Sequence, residues 1–163
     1  MKEALVTFVS DFPPELAVVL LSLIPVAELR LAIPLAILSY GIHPVEAFFF
    51  ACIGNLIPVP FIILFIRKIF DWMKKFKIFH KLVTKLEERG KSKQETVKKY
   101  KFWGLFIFVA IPLPGTGAWT GALIAALMNM RLKDALPSIA LGVVTAGVVV
   151  TTLSILLPNL LGF

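Results

Sequence analysis

Apolar and polar positions fall in long blocks along this chain. Ala47 to Ile66 is twenty residues without a charge and Ala135 to Phe163 is twenty-nine. A helix that crosses a bilayer needs about 20 apolar residues, so each block predicts one full crossing. Two other apolar regions are interrupted. Leu16 to Ala27 and Leu31 to Ile42 are twelve uncharged residues each, separated by Glu28-Leu29-Arg30. At 1.5 Å per residue either one covers only about 18 Å of a hydrocarbon core about 30 Å thick. A single continuous helix would put an acid and an arginine near the bilayer centre and would carry Pro25 and Pro34, each costing a backbone hydrogen bond. A re-entrant hairpin with its turn near Pro25 to Glu28 removes that conflict, because irregular backbone at membrane depth is tolerated where it lines a protein-enclosed cavity. Phe102 to Met128 repeats the pattern, broken by Pro112-Leu113-Pro114-Gly115-Thr116-Gly117, a run that stops a helix.

The two halves also correspond residue by residue. A shift of 87 places Ile24-Pro25 on Ile111-Pro112 and aligns Glu28 and Arg30 with Gly115 and Gly117; with one inserted residue, Glu46-Ala47 falls on Asp134-Ala135 and Gly54 on Gly142. A repeat that contains one crossing inverts its successor, so the expected architecture is an all-α integral membrane protein built as an inverted repeat of re-entrant hairpin plus transmembrane helix. Repeat 1 covers about 14–66, a linker 67–101, and repeat 2 about 102–163, in a single membrane domain.

Charge fixes the orientation. Of the seventeen Lys and Arg, thirteen lie between Arg67 and Lys101 against four acids. Such an island resists translocation, so the 67–101 loop is expected to be cytoplasmic and the chain multi-pass in the inner (cytoplasmic) membrane. Inside the island Ile69, Met73, Phe76, Phe79, Val83 and Leu86 recur at helical spacing among lysines, which predicts an amphipathic helix in the headgroup layer. Nucleic acid is not expected as a partner, since no recognition motif accompanies the basic run. With 58% hydrophobic residues and 17% charge, the composition departs from that of soluble domains. One cysteine, Cys52, excludes an internal disulfide or a multi-cysteine metal site. No catalytic triad, carboxylate pair or metal-ligand cluster is visible, and no strand precedes the Gly115, Gly117, Gly121 spacing as a dinucleotide site requires. An enzyme is therefore not expected, and neither a cofactor nor a metal.

Glu28 and Arg30 are the sharpest candidates. A charge at the bilayer centre costs about 2.5–3.5 kcal/mol on insertion scales. Two residues apart, they face different sides of a regular helix and meet only on an irregular tip. Arg30 would bind an anion through its planar donor fork, while Glu28 holds it or exchanges a proton or cation; the structural alternative is an ion pair that only pins the hairpin. The half-helices starting near Leu29 and Gly117 would aim positive dipole ends at the midplane. Gly115 and Gly117 would admit backbone close to a ligand, and Thr116 or Thr120 could donate a hydroxyl; alternatively the Pro-Gly run only makes the turn. Pro34, Pro112, Pro114 and Trp119 complete the expected lining, and Asn55 either joins it or hydrogen-bonds a neighbouring helix. Gly117 with Gly121, and Gly142 with Ala146, have helix-packing spacing, and Glu46 and Asp134 suit helix N-termini.

The strings Ala27-Glu28-Leu29-Arg30-Leu31-Ala32-Ile33-Pro34, Gly54-Asn55-Leu56-Ile57-Pro58-Val59-Pro60 and Phe108 to Gly121 resemble the small multidrug export family of prokaryotic membrane proteins, which looks like a distant relative of the DedA (VTT) superfamily. That resemblance implies opposed re-entrant hairpins and a transporter of the flippase or proton-dependent kind. The expected function is translocation of a lipid-linked phosphate or other amphipathic anion bound between the two hairpin tips, with Glu28 as coupling-ion site. Its rivals are proton-coupled export of lipophilic cations and a non-transporting membrane scaffold. Expected partners are membrane lipids, the amphipathic cargo and a second copy of the chain in a homodimer.

Overall fold

The computed structural model describes residues 12–73, 94–113 and 115–161. Among these there are helices and no strand, as expected of an all-α chain. The helices are α1 (Pro14–Leu23), α2 (Glu28–Leu38), α3 (Pro44–Leu56), α4 (Pro58–Met73), α5 (Gln94–Ala110), α6 (Ala118–Leu127) and α7 (Leu132–Leu161). Proline stands at the start of α1 and α3, where its missing N–H costs nothing. Ile57 keeps helical geometry between α3 and α4, with its N–H on the Ile53 carbonyl at 3.2 Å, so Pro44–Ile66 forms one apolar span of 23 residues. Leu132–Leu156 is a second, of 25 residues. Both exceed the length a bilayer core demands. By contrast α1, α2 and α6 have 10, 11 and 10 residues, about half of what a crossing needs.

Two boundaries differ from the charge-based reading. α4 continues to Met73 and α5 begins at Gln94, so both ends of the expected linker are helical, because charge does not itself stop a helix whose backbone bonds are internal. The rest of the expected amphipathic helix, from residue 74 on, lies outside the described residues. Pro34 sits inside α2; the helix absorbs it by forgoing the one bond its nitrogen would have made to the Arg30 carbonyl.

The chain divides into two compact units. The first takes the described residues up to Pro58 and those from Val143 onward; the second takes Val59–Gly142. In the first, α1, α2 and α3 pack on one another in all three pairings through Ala17, Val18, Leu21, Leu29, Ala32, Ile33, Ala36, Ala47 and Ala51, all 2% exposed or less. The second half of α7 joins them so closely that a Cβ on Gly147 would stand 2.8 Å from the Phe48 ring. In the second unit α5 and α6 pack together, and the face α6 buries is Ala118, Gly121, Ala122, Ala125 and Ala126. Small residues of this kind let helix backbones approach.

The internal correspondence reappears as repeated contacts. A Cβ on Gly54 would overlap the Val19 carbonyl oxygen and lie 2.9 Å from Ser22 Cβ; one on Gly142 would lie 3.0 Å from the Phe106 carbonyl oxygen and 2.6 Å from Val109 Cβ. These are the same contacts displaced by 87 or 88 positions. Gly41 (φ 64°) and Asn129 (φ 55°), 88 apart, hold the left-handed conformation after the second short helix of each repeat. The buried Ile42 and Met130 follow, donating N–H to the Ala36 and Ala125 carbonyls at 3.0 and 2.9 Å. Such a left-handed residue with a backward bond is a helix C-cap, and the chain builds it twice.

Gly54→Ala and Gly142→Ala should each lower the thermal stability of the purified protein by about 1–3 kcal/mol through overpacking. Gly104→Ala, where a Cβ meets nothing within 4 Å, should be neutral or stabilising by up to about 1 kcal/mol. Melting in detergent checks all three.

Candidate functional site

At the tip of the first unit, Ile24 to Ala27 turns α1 into α2, with the N–H groups of Ala27 and Glu28 both on the Ile24 carbonyl, at 3.2 and 2.9 Å. The turn falls where Pro25 to Glu28 predicts it. Glu28 opens α2 with φ 46°, in the left-handed region that costs a residue with a Cβ about 1–2 kcal/mol. That conformation turns its carboxylate out of the regular helical direction, so that Oε2 comes within 3.8 Å of Arg30 Nη1. The expected irregular tip is what lets the pair converge. The distance is that of an ion pair and too long for a hydrogen bond. Glu28 is 3% exposed, whereas the Arg30 side chain is 20% accessible: the acid is the interior member and the guanidinium the one within reach.

Asn55, near the end of α3, is 1% exposed, and its Oδ1 makes no hydrogen bond. The hydroxyls of Tyr40 and Thr151 are likewise buried without a hydrogen-bond partner. Sequence reasoning passed over both, and their only signal was a hydroxyl in an otherwise apolar stretch.

In the second unit the tip runs from Ile111 to Gly117, and Pro114 lies outside the described residues. Thr116 Oγ1 lies 2.7 Å from the Ile111 carbonyl oxygen and 2.8 Å from that of Leu113, so its hydroxyl proton is spent on closing the loop. Pro112, Trp119 and Thr120 are half-buried and Gly115 is exposed with φ 85°. Gly117 is the N-cap of α6 with φ 125° and ψ −172°, a conformation essentially confined to glycine. Lys101 and Ser138 tie the other end of this unit, donating to the Met128 and Phe102 carbonyls at 3.1 and 2.6 Å.

The repeat contacts correct one alignment. The buried positions Leu29, Ala32, Ile33 and Ala36 of α2 match Ala118, Gly121, Ala122 and Ala125 of α6 with a shift of 89. Glu28 therefore pairs with Gly117, and Arg30 with Trp119, in place of Gly115 and Gly117. The reason is the longer second loop, which displaces the register after the turn. Both members of the corrected pair have positive φ. At the place where the second repeat uses glycine, the first keeps a buried carboxylate.

The family described as "Putative small multi-drug export protein" matches residues 28–149. The chain belongs to that family. Neither the curated proteins nor the solved structures compared with it contain a match. Membership in an export family together with two long apolar helices supports a membrane protein with a transport role.

Thr116→Val should destabilise the purified protein by about 1 kcal/mol, the net worth of a hydrogen bond, while Thr116→Ser retains the wild-type melting temperature. A thermal melt of the two variants checks that the hydroxyl serves the loop.

Proposed function

We propose that this chain is a transporter, and not an enzyme, whose cargo is an amphipathic anion, a lipid-linked phosphate among the candidates. Arg30 receives the anionic group and Glu28 positions the guanidinium and couples translocation to a proton or cation. The observation that carries this reading is Glu28 itself: a carboxylate held at 3% exposure in a left-handed conformation that the second repeat assigns to glycine. Strain of this kind persists where the surroundings impose it and clusters at functional sites. The more accessible partner of the pair is the cation, which favours an anionic cargo, and a guanidinium presents paired donors that match phosphate.

α1 with α2, and the apolar stretch Tyr100–Ala110 of α5 with α6, are each read as a re-entrant pair that leaves the bilayer on the side it entered, since about 15 Å of helix cannot cross a core about 30 Å thick. With one crossing per repeat, the second repeat is inverted relative to the membrane, as the DedA resemblance implies. The chain would then be multi-pass in the inner membrane with the 67–101 loop in the cytoplasm, working as a homodimer among its lipids.

A second reading, favoured by the family's description as multi-drug export proteins, is export of lipophilic cations in exchange for protons at Glu28. The test is transport by purified protein in lipid vesicles under imposed pH gradients, with a phosphorylated polyprenol and a lipophilic cation as alternative cargoes. For the anion reading, Arg30→Ala should cost about ten- to hundredfold in transport rate, the worth of a charge-assisted hydrogen bond, while Glu28→Gln abolishes the dependence on pH gradient. Cation export lost in Glu28→Gln and kept in Arg30→Ala would establish the second reading instead. Full transport in both variants would retire both mechanisms.

A further inference from the structure

α2 and α3 are joined by five residues and pack on each other, so they run antiparallel, as helices so connected must. Glu28 stands ten residues before the end of α2 at Leu38, and Asn55 eleven residues after the start of α3 at Pro44. The two lie at about the same level, some 15 Å from the connection. α1 confirms the level from a third side, because Gly54 presses against Val19 and Ser22, in the last turn of α1 before the tip. The buried amide of Asn55 and the buried carboxylate of Glu28 thus share the inner end of one three-helix cluster.

The second repeat is an internal control for what this cluster needs in order to fold. Under the shifts that superpose the repeated contacts, Glu28 corresponds to Gly117 and Asn55 to Val143, which is 0% exposed. The same C-cap and glycine contact form there with neither polar group present. Both groups are surplus to the architecture, and both occur at the same tip. A buried amide oxygen left without a donor is a net cost to folding, and the first unit carries it at Asn55.

We propose that Glu28 and Asn55 form a proton site, in which the carboxylate takes a proton from water and the resulting O–H donates to Asn55 Oδ1. This rests on Glu28 being the coupling acid of the proposed transporter. Ionised, Glu28 faces Arg30 at 3.8 Å. Protonated, it loses its charge, its attraction to the guanidinium lapses, and Arg30 is released to an anion. Proton and anion would then be taken up together, each strengthening the binding of the other by linkage. Of the other ionisable groups on the elements packed here, Glu15 and Glu46 lie in the first turns of α1 and α3 and His43 just before α3, all at the far end. Tyr40 lies at that end too, and Cys52 is one turn from Asn55. From Val143 onward α7 contributes no charged residue. Among the described residues of these elements, Arg30 is the charge at ion-pair distance from Glu28.

The experiment is infrared titration of the full chain in vesicles, following the protonated-carboxyl band that disappears in Glu28→Gln. Asn55→Val, the residue the second repeat already uses, should lower the midpoint of that band by about one pH unit, since the neutral acid loses its acceptor. Asn55→Asp should raise it by about one unit or more, since two adjacent carboxyls share a proton. Absence of either shift, with the band still titrating, overturns the site and leaves the coupling role of Glu28 standing. A band that Glu28→Gln does not remove overturns that role as well.

Discussion

The close seating of a long helix against a short one is the contact on which this architecture depends. Gly54 on Val19 and Ser22, and Gly142 on Phe106 and Val109, leave no room for a single added carbon. An apolar helix of ten or eleven residues has too little surface to be held by burial against lipid, which is as apolar as its own side chains. What holds it is direct packing of backbone on backbone, and only glycine admits that. The alanine-rich faces of α2 and α6 extend the same device along each pair.

Seated in this way, α1 and α2 turn back on each other, and the turn becomes a place where charge is kept. The first turn holds Glu28 and Arg30, the acid inside and the guanidinium at its edge. The second is closed by the hydroxyl of Thr116 on two loop carbonyls and holds no charged residue. One scaffold, built twice, is thus put to two different chemical uses.

Much of this was legible in the sequence. The length of an uncharged run against the thickness of a bilayer separates the two spans from the interrupted segments, and Pro25 with Glu28, like the Pro-Gly run after Ile111, marks where each pair turns. Gly54 and Gly142 could be matched because each follows an acid-alanine pair, Glu46-Ala47 and Asp134-Ala135, at the same spacing. The register across the second tip was not legible: residues added in a loop leave no periodicity by which to place them, and only the buried faces of α2 and α6 show that Gly117, not Gly115, stands opposite Glu28. Nor does any sequence rule put a glutamate into left-handed backbone, which is a tertiary outcome. The spending of the Thr116 hydroxyl on its own loop depends likewise on a fold of the chain that spacing cannot convey.

The first unit is completed by residues from Val143 onward, with Gly147 lodged against Phe48. A ribosome delivers those residues only after the whole of the second unit. Until then the aromatic flank of α3 lacks the stretch of α7 around Gly147 that covers it, so the first unit is completed only once the second has been made.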